Sequence, residues 1–247
     1  MSHIEEQPEA SGGNQIEEAG PSPNSVKSRA AKRISDSTIH RLSRYLRLLG
    51  RLEADGVKTI SSKELASIKR LTPAQVRKDL SFFGSFGTRG LGYPVSELKT
   101  KIAGILGLDK RWRLAIVGVG NIGSALVGYK EFPERGFDIR LVFDNDQRKI
   151  GSKHKGLVVS DIKNLKEELT AQQIDIVALA VPGSVAQDIT DIVVSAGVRG
   201  ILTFAPVHLD TPENVFVRRE DMTMELEYLT YALSSRDIKS IKDIDLS

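Results

Sequence analysis

Along residues 37–54 the apolar positions Ile39, Leu42, Tyr45, Leu46, Leu49 and Leu52 recur at helical spacing, and Asp55-Gly56 ends the pattern. Arg41, Arg44, Arg47 and Arg51 fall on the other faces. Ser61-Ser62-Lys63-Glu64 predicts a capping box that opens a short helix through Leu65 and Ile68. Thr72-Pro73-Ala74-Gln75 predicts a second box, with Pro73 at the first helical position, where a missing N–H costs nothing. Val76, Leu80 and Phe83 form the buried stripe of this third helix, which leaves Gln75, Arg77, Lys78 and Ser81 outside it. Two short helices joined by a tight turn, the second presenting Gln, Arg, Lys and Ser outward, describe a helix-turn-helix and its recognition helix. From Gly84 to Val95 four glycines alternate with aromatic residues and Arg89 sits near the tip. That composition suits a wing able to carry Arg89 into a minor groove. The plainer reading is a Gly-rich interdomain loop. A helix from Ser96 through Leu106 follows.

Beyond residue 110 short apolar runs alternate with helical patterns, the order of a parallel sheet wrapped by helices. Leu114–Val117 and Phe137–Phe143 read as strands, as does a short piece near Leu157-Val158-Val159. A helix is predicted from Asp161 to Gln172. Ile174–Val181 is nearly continuous in apolar residues, as a central strand buried on both faces should be. Pro182-Gly183 ends it, a helix runs from Ser184 to Ala196, and strands follow at Gly200–Pro206 and Val215–Val217. The last pattern, Glu220–Leu233, is an amphipathic helix with Met222, Leu226, Leu229 and Leu233 on one stripe. Such a stripe is more often core, but at a chain end it can also exchange between subunits.

Between the first two of these strands lies Gly118-Val119-Gly120-Asn121-Ile122-Gly123, which opens the helical pattern Ile122, Ala125, Leu126, Tyr129. Strand, glycine turn and helix start together make a cradle for pyrophosphate. Asp144, closing the second strand, supplies a carboxylate able to accept both ribose hydroxyls of an adenosine and to repel a 2′-phosphate, so the expected ligand is NAD rather than NADP. Arg148 and Lys149, just beyond, weigh against that selectivity. The bland reading is a glycine turn that holds nothing.

Charge divides the chain. Residues 1–26 carry five acids and no Lys or Arg, residues 27–113 carry 20 Lys/Arg against 7 Asp/Glu, and residues 114–247 carry 15 against 20. An excess of thirteen positive charges in under ninety residues is the footprint of a polyanion binder. The expected organisation is a disordered tail over 1–33, a winged helix-turn-helix domain over 34–95 and a linker helix over 96–110. A Rossmann-like doubly wound parallel sheet over 111–220, a dimerisation helix over 221–235 and a tail over 236–247 complete it. The fold class is α/β. No apolar run reaches the length of a membrane span and no secretion signal is evident, so a cytoplasmic protein is expected. The chain has no cysteine, which removes disulfides and thiol chemistry.

A dinucleotide domain also invites the reading of an NAD-dependent dehydrogenase with an accessory basic domain, which needs a proton donor or acceptor beside the nicotinamide. Among His3, His40, His154 and His208, the last follows a strand near its C-terminal end and is the candidate. Against it, residues 114–247 leave no room for a separate substrate domain, so no turned-over small molecule is expected. A nucleotide-binding scaffold without a DNA role is a third reading.

Together these residues resemble the redox-sensing transcriptional repressor family Rex, from about Ile34 to Leu233. The motifs that carry the resemblance are Gln75–Gly84 with Gly87-Thr88-Arg89-Gly90, the GVGNIG turn, Val181–Gln187 and Gly200–Val207. The resemblance implies a homodimer whose C-terminal helix swaps into its partner, with two winged helices on a palindromic operator. It implies further that NADH binding releases the operator and that NAD+ competes for the same site, with Val181 and Pro182 expected among the cofactor-binding residues. It also implies that Arg47, Tyr129 and Asp221 exchange polar contacts between the DNA-bound and NADH-bound forms. Met222 stands where some relatives carry an aromatic residue near the nicotinamide.

Overall fold

The computed structural model describes residues 34–68, 71–84, 86–87 and 91–234. The predicted tails at 1–33 and 236–247 lie outside the described residues, as does Arg89. The first helix, α1 (Asp36–Ala54), starts where the Ser35 side chain accepts the Thr38 N–H. It buries Leu42, Tyr45, Leu48 and Leu49, while Ile39 is exposed. Two residues of strand, β1 (Thr59–Ile60), precede α2 (Ser62–Ile68) and α3 (Pro73–Ser81). β2 (Tyr93–Pro94) returns antiparallel to β1, pairing Thr59 with Pro94 and Ile60 with Tyr93. That small sheet is the described base of the expected wing.

The next helix, α4 (Val95–Ile105), does more than link. Val95, Leu98 and Ile102 are buried in one cluster with Leu42, Tyr45, Leu49, Leu65, Val76 and Leu80, so α4 completes the core of the N-terminal domain.

The second core is a seven-stranded sheet. Its elements in chain order are β3 (Trp112–Val117), α5 (Asn121–Val127), α6 (Glu131–Glu134), β4 (Phe137–Asp144), β5 (Lys153–His154) and β6 (Leu157–Asp161), then α7 (Leu165–Ala171), β7 (Ile176–Leu179), α8 (Gly183–Ser195), β8 (Gly200–Thr203), β9 (Phe216–Arg219) and α9 (Met222–Ser234). The strand order is β5-β6-β4-β3-β7-β8-β9, and only the β5–β6 pair among the described strands of this sheet is antiparallel. The sequence pattern predicts no strand at Lys153-His154, because two residues carry no periodicity, and β5 forms by pairing with β6. Without that edge the order is the doubly wound one, in which the chain starts at the centre, builds one half, and returns to build the other. Alternation along β3 shows why both faces are covered. Ala115 and Val117 join one buried cluster with Leu165, Leu169, Ile189 and Val193, and Leu114 and Ile116 join another with Val127, Val142 and Val159.

Several boundaries shift from the expectation. α5 stops at Val127 on Gly128, so Tyr129 lies just past the helix and not on it. The predicted helix over 161–172 opens with a 3-10 turn at Ile162–Asn164 and is α-helical only from Leu165. α9 exposes Met222, Leu226, Leu229 and Leu233, so the stripe is not core within one chain. Among the described residues no helix is long and apolar enough to cross a membrane, and no cluster of acids and histidines could hold a metal ion.

Candidate functional site

A doubly wound sheet opens a crevice where neighbouring strands send their connections to opposite faces. Here that point lies between β3 and β7. The backbone there is packed so closely that side chains are excluded: a Cβ on Gly118 would lie 2.4 Å from the Ala180 carbonyl oxygen, and one on Gly123 would lie 1.8 Å from the Gly118 carbonyl oxygen. Gly118 also has φ +93°, which other residues rarely adopt. Gly120 differs, since a Cβ there would meet nothing within 4 Å and would project into open space at the start of α5, where no side chain caps the helix. The first amides of a helix have no intrahelical partner, so an anion brought to this turn finds donors and no obstruction.

The resulting cleft has a volume of about 560 Å³ and is lined by Gly118, Gly120, Asp144, Val181 and Pro182, all predicted from sequence. Val119, Asn121, Ile122 and Gly123 do not line it. Val119 and Gly123 are buried, and Asn121 and Ile122 begin α5. Lys149, noted from sequence only as a nearby charge, lines the cleft too, and residues that sequence reasoning missed complete the walls: Asn145, Lys163, and Val185, Ile189 and Ile192 from α8. The last three follow helical spacing, which was the available signal.

Asp144 is buried, but it is not a free carboxylate awaiting a ribose. Its Oδ2 accepts the Val119 N–H at 2.8 Å and the Lys149 ammonium at 3.0 Å, and its Oδ1 accepts the Asp146 N–H at 2.9 Å. Burial pushes its pKa up, yet the bonds from Asp146, Lys149 and Val119 outweigh burial and hold the carboxyl below its ordinary value. Lys149 also donates to the Val119 carbonyl at 3.0 Å. Asp144 and Lys149 thus clamp the glycine turn from both sides, and the expected like-charge barrier to a 2′-phosphate is partly neutralised. Arg148 is turned away onto Asp146. His208 pairs with Asp210 at 3.7 Å, is 88 % exposed and does not line the cleft.

In the N-terminal domain α3 presents Arg77, Lys78 and Ser81 to solvent, with Val76 and Leu80 on the buried side. Arg77 donates to the Ser62 hydroxyl at 3.2 Å, and the Ser81 hydroxyl donates back to the Lys78 carbonyl. The first predicted capping box closes, with Ser61 N–H to Glu64 Oε2 at 2.7 Å and Glu64 N–H to Ser61 Oγ at 3.1 Å. The second closes only halfway. Thr72 Oγ1 accepts the Gln75 N–H at 3.1 Å, but the Gln75 side chain goes to Asp79 instead of returning to Thr72. Asp79, which no sequence signal singled out, is fully buried and also accepts Arg41 through two nitrogens and the Tyr45 hydroxyl.

Of the three expected switch residues, two, Arg47 and Tyr129, lie around a fourth residue, Glu131, that was not anticipated. Glu131 pairs with Arg135 at 3.0 Å, and its carboxyl is held below the usual range first by that bond, with further help from Arg47 and from a Tyr129 hydrogen bond. Arg47 and Glu131 line a groove of about 710 Å³ among α1, α4 and α6. Tyr129 meets Phe132 edge-on at 5.1 Å. Asp221 reaches neither, because its Oδ1 accepts the Thr223 N–H at 3.0 Å and so caps the first turn of α9.

Residues 33–81 match a family described as a putative DNA-binding protein N-terminus, and residues 109–207 match one described as a CoA binding domain. A redox-sensing transcriptional repressor Rex from Desulforamulus reducens is 46% identical over 207 residues, covering 84% of this chain and 99% of the relative. A crystal structure of RSP in complex with β-NAD+ and operator DNA superposes with a TM-score of 0.79 at 35% identity, covering 86% of this chain and 97% of that one. RSP in complex with β-NADH gives 0.75 at 35% identity over 83% of this chain and 96% of that one.

Proposed function

The chain belongs to the Rex family of redox-sensing transcriptional repressors, and from that premise we propose which of its residues read DNA and which sense the cofactor. It is a DNA-binding repressor that responds to NADH and not an enzyme. α3 enters the major groove of the operator with Gln75, Arg77, Lys78 and Ser81 toward bases and phosphates, and Arg89 on the wing enters the adjoining minor groove. Exposure of Arg77 and Lys78 opposite buried Val76 and Leu80 supports the assignment of α3. A palindromic operator is met by a homodimer joined through α9, a reading supported by the apolar stripe that helix leaves uncovered. Such a repressor works in the cytoplasm.

NADH binds in the cleft at the switch point, and NAD+ competes there. The backbone of Gly118, Val119, Gly120, Asn121, Ile122 and Gly123 faces the pyrophosphate, Asp144 the adenosine ribose, and Val181 and Pro182 the nicotinamide half. The open space above Gly120 and the exclusion of side chains at Gly118 and Gly123 fit such a group. When bound, the cofactor supplies a ring that is positive when oxidised and neutral when reduced. Walls built from Val181, Pro182, Val185, Ile189 and Ile192 penalise the charged form by desolvation, so the reduced form is held better. For that preference to reach DNA, NADH must favour the dimer in which the two copies of α3 no longer fit successive grooves. Arg47, Tyr129 and Asp221 carry this coupling, with Asp221 meeting Arg47 in the DNA-competent dimer and Tyr129 in the NADH form. Glu131 holds the vacated partner in each.

The observation that carries this reading is the joining, in one chain, of a capped helix with outward cations to a glycine-turn cleft at a sheet switch point. An anisotropy titration on an A/T-rich palindromic duplex tests it. Release by NADH but not by the same concentration of NAD+ is the expected result, and DNA binding indifferent to both cofactors overturns it.

A further inference from the structure

The half-closed cap of α3 has a chemical consequence. Asp79, itself at zero exposure, accepts the Arg41 Nε at 2.7 Å and Nη2 at 2.8 Å, the Tyr45 hydroxyl at 2.9 Å and, in a part-buried bond, the Gln75 Nε2 at 2.7 Å. Arginine stays protonated, so the carboxylate paired with it stays ionised and can only accept. Burial pushes the Asp79 pKa up, but the bonds from Arg41, Gln75 and Tyr45 prevail and hold it low. An acceptor-only partner leaves one orientation for the Gln75 carboxamide, because the flipped form would set Oε1 against a negative charge. One N–H is then spent on Asp79. The remaining N–H and Oε1 are left as one donor and one acceptor on the same planar amide.

We infer that Asp79 is a positioning residue which locks the Gln75 carboxamide on α3 as a donor–acceptor pair specific for adenine in the operator's major groove. Adenine alone offers an acceptor at N7 beside a donor at N6. Guanine offers two acceptors and would oppose Oε1, cytosine offers a donor at N4, and thymine offers an acceptor and a methyl group. Gln75 is the third residue of α3, where recognition helices meet base edges. In α2 the matching residue, Glu64, closes its capping box, so the helix does not need Gln75 to leave the cap for reasons of helix geometry alone. The inference rests on α3 being the reading helix.

The test selects bound duplexes from a pool with a randomised core, using the full chain and its variants. Wild-type protein should enrich a two-fold motif with an adenine in each half-site at one position. Gln75→Ala should lose discrimination at that position by about ten-fold while the remaining positions persist. Asp79→Asn should lose the same position, since an amide facing an amide permits either flip. An unchanged motif with Gln75→Ala overturns the reading role, and loss with Gln75→Ala but not with a folded Asp79→Asn overturns the positioning role. If Asp79→Asn does not fold, the side-chain amide signals of wild-type Gln75 decide. One downfield, slowly exchanging proton is expected, and a solvent-like exchanging pair removes Asp79 from the role. Failure of α3 itself as reader is distinct, because Arg77→Ala and Lys78→Ala would then leave affinity and motif untouched.

Discussion

Among the described residues each domain buries one aspartate, and the two do different work. Asp79 accepts side chains from Arg41 and Tyr45 on α1 and from Gln75 on its own helix, so it fastens elements far apart in the chain. Asp144 accepts two backbone N–H groups and Lys149, so it organises a turn. The proposed reading helix α3 is therefore oriented by directional, charge-assisted bonds between helices, whereas the proposed cofactor cleft is shaped by backbone contact and apolar packing, with its aspartate fixing only the loop. A helix that must hold register against DNA gains from the first arrangement. A cleft that must admit a phosphate gains from the second.

The largest expected effect comes from breaking the first arrangement. Asp79→Ala leaves the Arg41 guanidinium, 11% exposed, without its counter-charge, and should cost about 3 to 5 kcal/mol in denaturant unfolding. The paired substitution Arg41→Met with Asp79→Leu should recover most of that loss, because it removes both charges. Acid acts on the same bonds. Asp79 and Asp144 both have folded-state pKa values below their ordinary ones, so their contributions are full above the unfolded value of about 3.9 and are lost as pH falls through the lower, folded values. Circular dichroism of the wild type should therefore show stability falling below about pH 4. The paired substitution should flatten that fall for the N-terminal domain.

The next effect sharpens the contrast within the cleft. Gly123→Ala pushes a methyl into the Gly118 carbonyl and should cost about 1 to 3 kcal/mol of stability along with NADH binding. Gly120→Ala meets no atom of the protein, so it should leave unfolding unchanged and weaken NADH alone. Calorimetry on both variants checks this, and equal stability losses would deny that Gly120 faces the ligand.

What the sequence made legible follows the same division. The glycine turn, β3, β4 and β7 could be read because their requirements are local: a strand, a tight turn and a helix start within a few residues. Only the Thr72 half of the Thr72 to Gln75 box forms, because the competitor for the Gln75 side chain, Asp79, is made available by burial against α1, which no spacing within α3 reports. Lys149 was visible only as a nearby charge. That it would clamp Asp144 depends on where the loop after β4 folds back. The linker helix that became α4 was also legible, yet its destination in the N-terminal core was not, since a helical pattern does not name what covers its apolar face.

A smaller effect separates coupling from capping. Asp221→Ala removes the acceptor of the Thr223 N–H and should cost about 1 kcal/mol. If Asp221 also carries the coupling, operator affinity should become nearly insensitive to NADH while NADH binding persists. Release at the wild-type NADH concentration would leave only the cap.

The smallest expected effect concerns selectivity for the cofactor. Asp144 opposes a 2′-phosphate by its charge, but Lys149 sits 3.0 Å from the same carboxylate and offsets part of that charge. The ammonium is 39 % exposed, so solvent screens its influence and its weight is about 0.2 to 1 kcal/mol. Lys149→Ala should therefore sharpen the preference for NADH over NADPH by at most about five-fold, seen in paired calorimetric titrations. The same variant removes one support of the Val119 carbonyl, which would lower affinity for both cofactors alike, so the ratio and not either affinity is the measure. A ratio that moves toward NADPH would mean that Lys149 aids the carboxylate's discrimination by holding it in place, and an unchanged ratio that Asp144 discriminates through its two backbone bonds alone.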